Sequence, residues 1–305
     1  MYIYTYACHE DEAELCALEL KTLLGAPVSG GIARSGADVH VDRSPFVKRR
    51  IGVMLEAASM DELTEKLPSV DLRGKTFKVL FTAGDEQPDF DERRQLERTA
   101  GAAIRGQADM RRPELLFGLA KLDGRLYFGP CEENGAVWLK HQRKPQNYST
   151  ALPTRAARAI VNLASGPESG TMRMIDPCCG MGTALIEAKS MGIDIEGLDA
   201  NPLAVRGARV NLSHFGYPAR VKLGDMRQAE GSYDAAIVDL PYNLCSVLPE
   251  DEQLAMLEAA RRLARRAVVV TTEPAGRQLE RAGWHRAACA KLSKGSFTRY
   301  VTVVE

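Results

Sequence analysis

Apolar and polar positions change rhythm halfway along the chain. In the second half, short apolar runs alternate with stretches in which apolar residues return every three or four positions. "MRMID" predicts a strand followed by a helix through "ALIEAKSMG", and "IDIEGLD" with "PLAVRGARVNLSHFG" repeats the pair. "ARVKLGD" predicts a third strand and "YDAAIVDLP" a fourth, and the helix "DEQLAMLEAARRLA" leads to a fifth, "RAVVVTT". Such alternation predicts βαβ units, a parallel sheet with helices on both faces. "AAIVD" is apolar at almost every position, as a strand covered on both sides requires. The end of the chain departs from this rhythm. "HRAACAKL", "SKGS" and "FTRYVTVV" predict two strands and a short loop, an antiparallel hairpin added to the sheet.

The first half is less regular. "MYIYTYA" alternates as a strand does, and "EDEAELCALELKTLLG" has helical spacing. "RIGVMLEAA" and "SMDELTEKLP" repeat strand and helix, "TFKVLFTA" predicts a strand, and "DFDERRQLERTAGAAIRGQ" a helix with an acidic start. "ELLFGLAKLDGRLYFGP" predicts a hairpin turning at Asp123-Gly124. The polar connector "KHQRKPQNYSTALP" precedes a helix through "TRAARAIVNLA". The expected organisation is an α+β region over residues 1–143, a linker and lead-in helix over 144–165, and an α/β domain over 166–305.

A chain of 305 residues is long enough for two domains with their own cores. Its 40 basic and 40 acidic side chains balance, and so do its halves: residues 1–150 hold 21 and 23, residues 151–305 hold 19 and 17. Neither half carries the basic excess that announces a polyanion-binding domain. The local clusters Lys48-Arg49-Arg50, Arg111-Arg112, Lys140 to Lys144 and Arg261 to Arg266 read first as solvated surface. The seven cysteines form no C-x-x-C pair, which points away from a zinc site or disulfide framework and towards a reducing compartment. The five histidines are scattered, and no metal site is expected. Without a basic and apolar leader or a run of eighteen apolar residues, the expectation is a cytoplasmic protein with no membrane partner.

In an open α/β sheet, ligands bind outside the carboxyl ends of the strands. The first strand ends in Asp176, followed by Gly180 and Gly182. The second ends in Asp199-Ala200-Asn201, the third in Gly224-Asp225-Met226, and the fourth in Asp239-Leu240-Pro241-Tyr242. One such aspartate reads as a helix N-cap, but four in succession read as a ligand site. Glycines at the first turn allow close backbone approach, and an acidic residue ending the second strand is placed for ribose hydroxyls. Asp225 is placed for an adenine amino group. The turn lacks the third glycine of the dinucleotide fingerprint and the lysine of a P-loop. The cofactor implied is therefore a nucleoside without a pyrophosphate, which fits S-adenosylmethionine. Cys178 and Cys179 read as small packing residues, and Trp138 and Trp284 as core or interface.

"DPCCGMGT", "GLDANP", "GDM" and "DLPY" resemble the glycine, ribose, adenine and catalytic motifs of class I S-adenosylmethionine-dependent methyltransferases that modify exocyclic amino groups of nucleobases. "KPQNYSTALPTRAARAIVNLA" is similar to the segment preceding the catalytic domain in THUMP-domain RNA methyltransferases, the tRNA guanine-N2 enzymes among them, although Ser149 replaces a usual proline. "RRPELLFGLAKLDGRLYFG" resembles the end of a THUMP domain. The resemblance implies a Rossmann-like α/β methyltransferase domain behind a ferredoxin-like and THUMP-like N-terminal region. It implies a cofactor site at Asp176, Cys178, Gly180, Gly182, Asp199, Ala200, Asp225 and Met226, and a catalytic site at Asp239, Leu240, Pro241 and Tyr242. In that site Asp239 and the Leu240 carbonyl accept the N–H groups of the amine and Tyr242 stacks on the flipped-out base; Asp at position 239 leans towards guanine N2. The partner implied is RNA, with tRNA the expected substrate. The basic residues expected to grip it are Lys48, Arg49, Arg50, Arg111, Arg112, Lys140, Arg143 and Lys144. Two alternatives stay open: an adenine-N6 nucleic-acid methyltransferase, and a non-catalytic RNA-binding protein with a vestigial fold, which the full set of site residues argues against.

Overall fold

The computed structural model describes all residues except 87, 149–150, 168–169, 242–248 and 296. From the N-terminus, β1 (Tyr2–Tyr6) is followed by α1 (Ala13–Leu24), β2 (Ile32–Ser35), β3 (Val47–Gly52), β4 (Leu55–Ala57) and α2 (Met60–Lys66). Next come β5 (Phe77–Gly84), α3 (Phe90–Ala103), β6 (Leu115–Leu122), β7 (Arg125–Glu133), the short α4 (Trp138–His141) and α5 (Thr154–Ser165). Then follow β8 (Arg173–Asp176), α6 (Thr183–Ser190), β9 (Asp194–Asp199), α7 (Pro202–His214), β10 (Val221–Leu223) and β11 (Tyr233–Asp239). The chain closes with α8 (Glu250–Leu263), β12 (Ala264–Thr271), α9 (Gly276–Arg281), β13 (Arg286–Lys294) and β14 (Phe297–Val304).

Two compact units form. The first takes residues 1–7, 24–42 and 46–135; the second takes 8–23, 43–45 and 136–305.

The first unit is built on a sheet of order β2-β1-β3-β7-β6-β5, with β4 also paired to β7. Among the described strands of this unit, only β5 and β6 run parallel. Phe77, Val79 and Phe81 alternate inward along β5, as a half-covered strand dictates. Phe117 and Phe128 stack beneath them with ring centroids 5.1 Å apart. Asp123 (φ 49°) and Gly124 (φ 71°) form the expected β6–β7 turn. "RIGVMLEAA", expected as one strand, is two: Met54 turns its N–H to Phe128 and the chain leaves β1 to pair with β7 alone. Ser59 caps α2 and Asp89 caps α3, each accepting the N–H three residues on.

The second unit is the α/β layer expected from the alternation. Its sheet has the order β10-β9-β8-β11-β12-β14-β13. The first five strands are parallel, and β14 runs antiparallel to both β12 and β13. Ala235 to Val238 and Ala267 to Val270 are fully buried, which explains their unbroken apolar runs. Among the described residues, no helix is long and apolar enough to cross a membrane.

Residues 144–165, expected as linker and lead-in helix, lie within this unit. Almost all of α5 is buried. Ile160, Val161 and Leu163 each contribute about 1.5–3 kcal/mol by leaving water. The same helix buries polar groups, so each needs a partner. Arg158 Nη1 donates to Glu187 Oε2 at 2.7 Å, and Glu187 Oε1 meets His141 Nδ1 at 2.6 Å. Asn162 Nδ2 donates to Glu19 Oε1 at 2.6 Å, and Ser44 Oγ donates to Glu19 Oε2 at 2.7 Å. These bonds are why residues 8–23 and 43–45 pack with the second unit, an attachment that periodicity does not reveal. Burial pushes Glu19 up to about 7, against hydrogen bonds from Ser44 and Asn162.

Candidate active site

In the second unit, β8 lies between β9 and β11, so the helices that follow β8 and β11 leave in opposite senses. That divergence opens a crevice at the carboxyl ends of the strands. The cavity there holds about 640 Å³. Asp176, Asp199, Asp225 and Asp239 all line it, and so do Cys178, Gly180, Ala200, Met226, Leu240 and Pro241. Asn201, from the end of the second strand, lines it too, as do Tyr148, Met181, Thr183, Leu203, Arg227, Glu252 and Met256, which no strand-end pattern marks. Tyr242, together with Asn243, Cys245 and Ser149, lies outside the described residues.

The glycine turn divides its labour. Gly180 sits at φ 52°, and a Cβ there would meet no protein atom within 4 Å. Its N–H donates to Asp199 Oδ2 at 2.8 Å, which ties the first strand end to the second. Gly182 sits at φ 79°, where a Cβ would stand 3.2 Å from the Ala208 Cβ on α7. Gly182 is absent from the cavity wall. Both glycines were expected to admit a ligand, but Gly182 instead meets the demands of a left-handed backbone and of helix packing.

The four aspartates have different surroundings. Asp176 is buried, and desolvation lifts its carboxyl well above the usual carboxylate range; the nearby Asp239 and Asp199 add to this, and the Cys178 N–H opposes it. Desolvation and the same carboxylates push the Cys178 thiol up, so it is no ready nucleophile. Its Sγ lies 3.3 Å from the Met226 sulfur. Asp199 Oδ1 accepts the Asn201 N–H at 2.8 Å. Asp225 accepts the Arg227 N–H at 2.9 Å and also binds its guanidinium, with Nη2 2.6 Å from Oδ2. These bonds hold Asp225 below the usual carboxylate range. At Asp239 burial pushes the carboxyl up to about 7, and the Arg299 cation on β14 opposes the rise. Asp239 Oδ1 is buried and has no hydrogen-bond partner among the described residues. Leu240, next along, is buried, with its N–H donated to the Val270 carbonyl at 3.1 Å.

The expected RNA contacts scatter. In the first unit Lys48, Arg111 and Arg112 are exposed. Arg49 pairs with Glu133 at 2.7 Å. Arg50 is bound by Asp38 and Glu132 and lies over the Tyr2 ring, so its charge is already matched within the fold. In the second unit Lys140 and Arg143 are exposed, but Lys144 is buried, and burial lowers its pKa against the pull of Glu187. Lys144 is therefore corrected from a surface contact to part of the interior, and Arg50, half-buried, to a cation already paired within its own unit.

A sheet with five parallel strands and a reversed seventh, an acidic residue at four strand ends and a nucleoside-sized crevice define a class I methyltransferase fold. Residues 141–275 match the family described as UPF0020, RMKL-like, methyltransferase domain. The second unit thus carries a methyltransferase domain of that type, the class served by S-adenosylmethionine. Over 262 residues, 77% of this chain and 76% of the relative, the sequence is 28% identical to the tRNA (guanine(10)-N2)-dimethyltransferase of Methanothermobacter thermautotrophicus. It is 36% identical to the enzyme of the same description from Pyrococcus abyssi over 118 residues, 37% of this chain and 35% of that one. The crystal structure of TrmN from Thermus thermophilus shares the fold, with a TM-score of 0.50 at 18% identity over 100% of this chain and 99% of that chain.

Proposed function

We propose that this methyltransferase transfers a methyl group to the exocyclic N2 amine of guanine in tRNA. The observation that carries the reading is Asp239, a carboxylate at a strand end with one buried oxygen unpartnered among the described residues. A buried acceptor of this kind costs about 1–3 kcal/mol unless a donor arrives. An amino group supplies such a donor. The relatives' description as tRNA guanine-N2 enzymes supports guanine and tRNA as base and carrier.

The cavity suits the cofactor. At Gly180 the wall is bare where any other residue would place a Cβ. Asp199 keeps free lone pairs on both oxygens for ribose hydroxyls, since each accepts only one backbone N–H here. Asp225, held still by Arg227, and Met226 sit where adenine would lie, with Cys178 and Ala200 on the wall beside them. S-adenosylmethionine, when bound, supplies a methyl group activated on a sulfonium.

The residues of this chain do the rest. A guanine amino group is conjugated to its ring, so its lone pair is a weak nucleophile. Asp239 accepts one N–H and the Leu240 carbonyl the other, which favours a tetrahedral nitrogen and stabilises its developing charge. Holding that nitrogen in line with the methyl group contributes through proximity. Once the N–C bond has formed, nitrogen sheds a proton, and Asp239, with its pKa near neutrality, takes it. Lys48, Arg111, Arg112, Lys140 and Arg143 are the exposed cations proposed for tRNA phosphates.

The test is methyl transfer from labelled S-adenosylmethionine to unmodified bulk tRNA, followed by nucleoside digestion and mass spectrometry. N2-methylated guanosine is the expected product. Label on adenosine would overturn the choice of base, and no label in any RNA would overturn the activity.

A further inference from the structure

We propose that Arg299 is a positioning residue for Asp239: its buried guanidinium faces the catalytic carboxylate across the sheet and holds it as the anion that accepts the amine. This rests on the role given above to Asp239.

The strand register supplies the geometry. Asp239 on β11 is the partner of Val270 on β12, and Val270 is the partner of Val301 on β14. Paired residues point to the same face of a sheet, so Asp239, Val270 and Val301 share one face. Arg299 lies two residues before Val301 and is on that face too. Because β14 runs antiparallel, this step carries Arg299 beyond the carboxyl end of β12, where the crevice opens. Two strand spacings of about 4.8 Å and one two-residue step of about 6.7 Å set the backbones roughly 12 Å apart. The long arginine and the short aspartate together span most of that distance.

Arg299 is 5% exposed, and its guanidinium lies 4.6 Å from the centre of the Phe297 ring. A cation so placed is poorly screened by solvent, and its field on a neighbouring carboxylate is correspondingly strong. Two titratable groups and one cation face Asp239. From β8 and the turn after it, Asp176 and the Cys178 thiol face Asp239. From β14 the cation Arg299 faces it. Desolvation favours the protonated acid, which cannot accept the amine through that oxygen. Arg299 favours the carboxylate.

The test is the pH dependence of kcat/KM for methyl transfer to tRNA by the full chain, with Arg299→Lys, Arg299→Met and Asp239→Asn. Arg299→Lys keeps a cation and should keep the acidic limb of the wild-type profile. Arg299→Met should move that limb about one pH unit higher, with cofactor affinity unchanged. A merely structural role would lower the whole profile without moving its midpoint. An unmoved midpoint in a folded Arg299→Met variant overturns the inference. If Arg299→Met does not fold, the Arg299 15Nε–H resonance decides instead. In the wild-type chain it should titrate with Asp239, and in Asp239→Asn that titration should vanish. Persistence of the titration overturns the inference. Full turnover by Asp239→Asn would instead overturn the role of Asp239 itself, a separate failure.

Discussion

Asp239 sets the chemistry at the scale of a single residue. Its carboxylate must be ionised to accept an N–H, and burial has pushed its pKa up to about 7. The sign follows directly: activity is present above that pKa and lost as pH falls through it. The log of kcat/KM should rise with pH to a plateau above about 7, measured with tRNA transcripts across pH 5–9. The two glycines of the turn should separate in the same way. Gly180→Ala also adopts a left-handed backbone, but it meets no neighbour and places a methyl group in the cavity, so it should weaken cofactor binding as well as lower stability. Gly182→Ala meets Ala208 and adopts a left-handed backbone, so it should cost stability of about 1–2 kcal/mol or more. Calorimetric binding of S-adenosylmethionine and urea unfolding of both variants would distinguish them. The aspartates were legible in the sequence because each ends an apolar run. Arg299 was not, although a charged residue on the inward-facing side of "FTRYVTVV" is a signal that alternation alone contains.

At the scale of an element, α5 joins periodicity to a buried polar network. Its helical spacing predicted the helix, but the buried polar side chains on it depend on partners distant in sequence. Arg158 reaches Glu187 on α6, and Asn162 reaches Glu19 on α1. No local pattern in "TRAARAIVNLA" encodes those partners. Removing Arg158 leaves the buried Glu187 carboxylate with the His141 ring but without its arginine partner. Arg158→Ala should therefore destabilise the chain by about 3–5 kcal/mol, read as a lower urea midpoint. A midpoint within experimental error of wild type would show that Glu187 finds another partner. The strands of the second unit were read correctly because a two-sided sheet makes apolar runs obvious. The step from β3 to β4 was missed, since the sheet beside it, not its own sequence, decides where the pairing changes.

For the whole molecule, a net charge of zero hides local asymmetry. The clusters read as basic from sequence divide into exposed cations and cations that the fold has paired or buried. Arg50 and Lys144 belong to the second kind, a distinction only tertiary structure makes. Arg111 and Arg112 belong to the first. Replacing both with Glu should weaken tRNA binding and flatten its salt dependence by about one to two in log–log slope, with cofactor affinity unchanged. Filter binding between 50 and 200 mM salt, on the order of the range where counterion release is resolved, would check this. The division of the chain into units was only partly legible, because residues 8–23 are held in the second unit by Glu19 and other contacts far away in sequence.

The most direct test of the account is single-turnover methyl transfer to tRNA by Asp239→Asn at saturating S-adenosylmethionine. The expected rate is about 10²–10³ below wild type, with cofactor affinity intact, because the amide keeps the shape of the site and loses the anion. A rate equal to wild type would contradict the assignment of Asp239 as the acceptor of the amine.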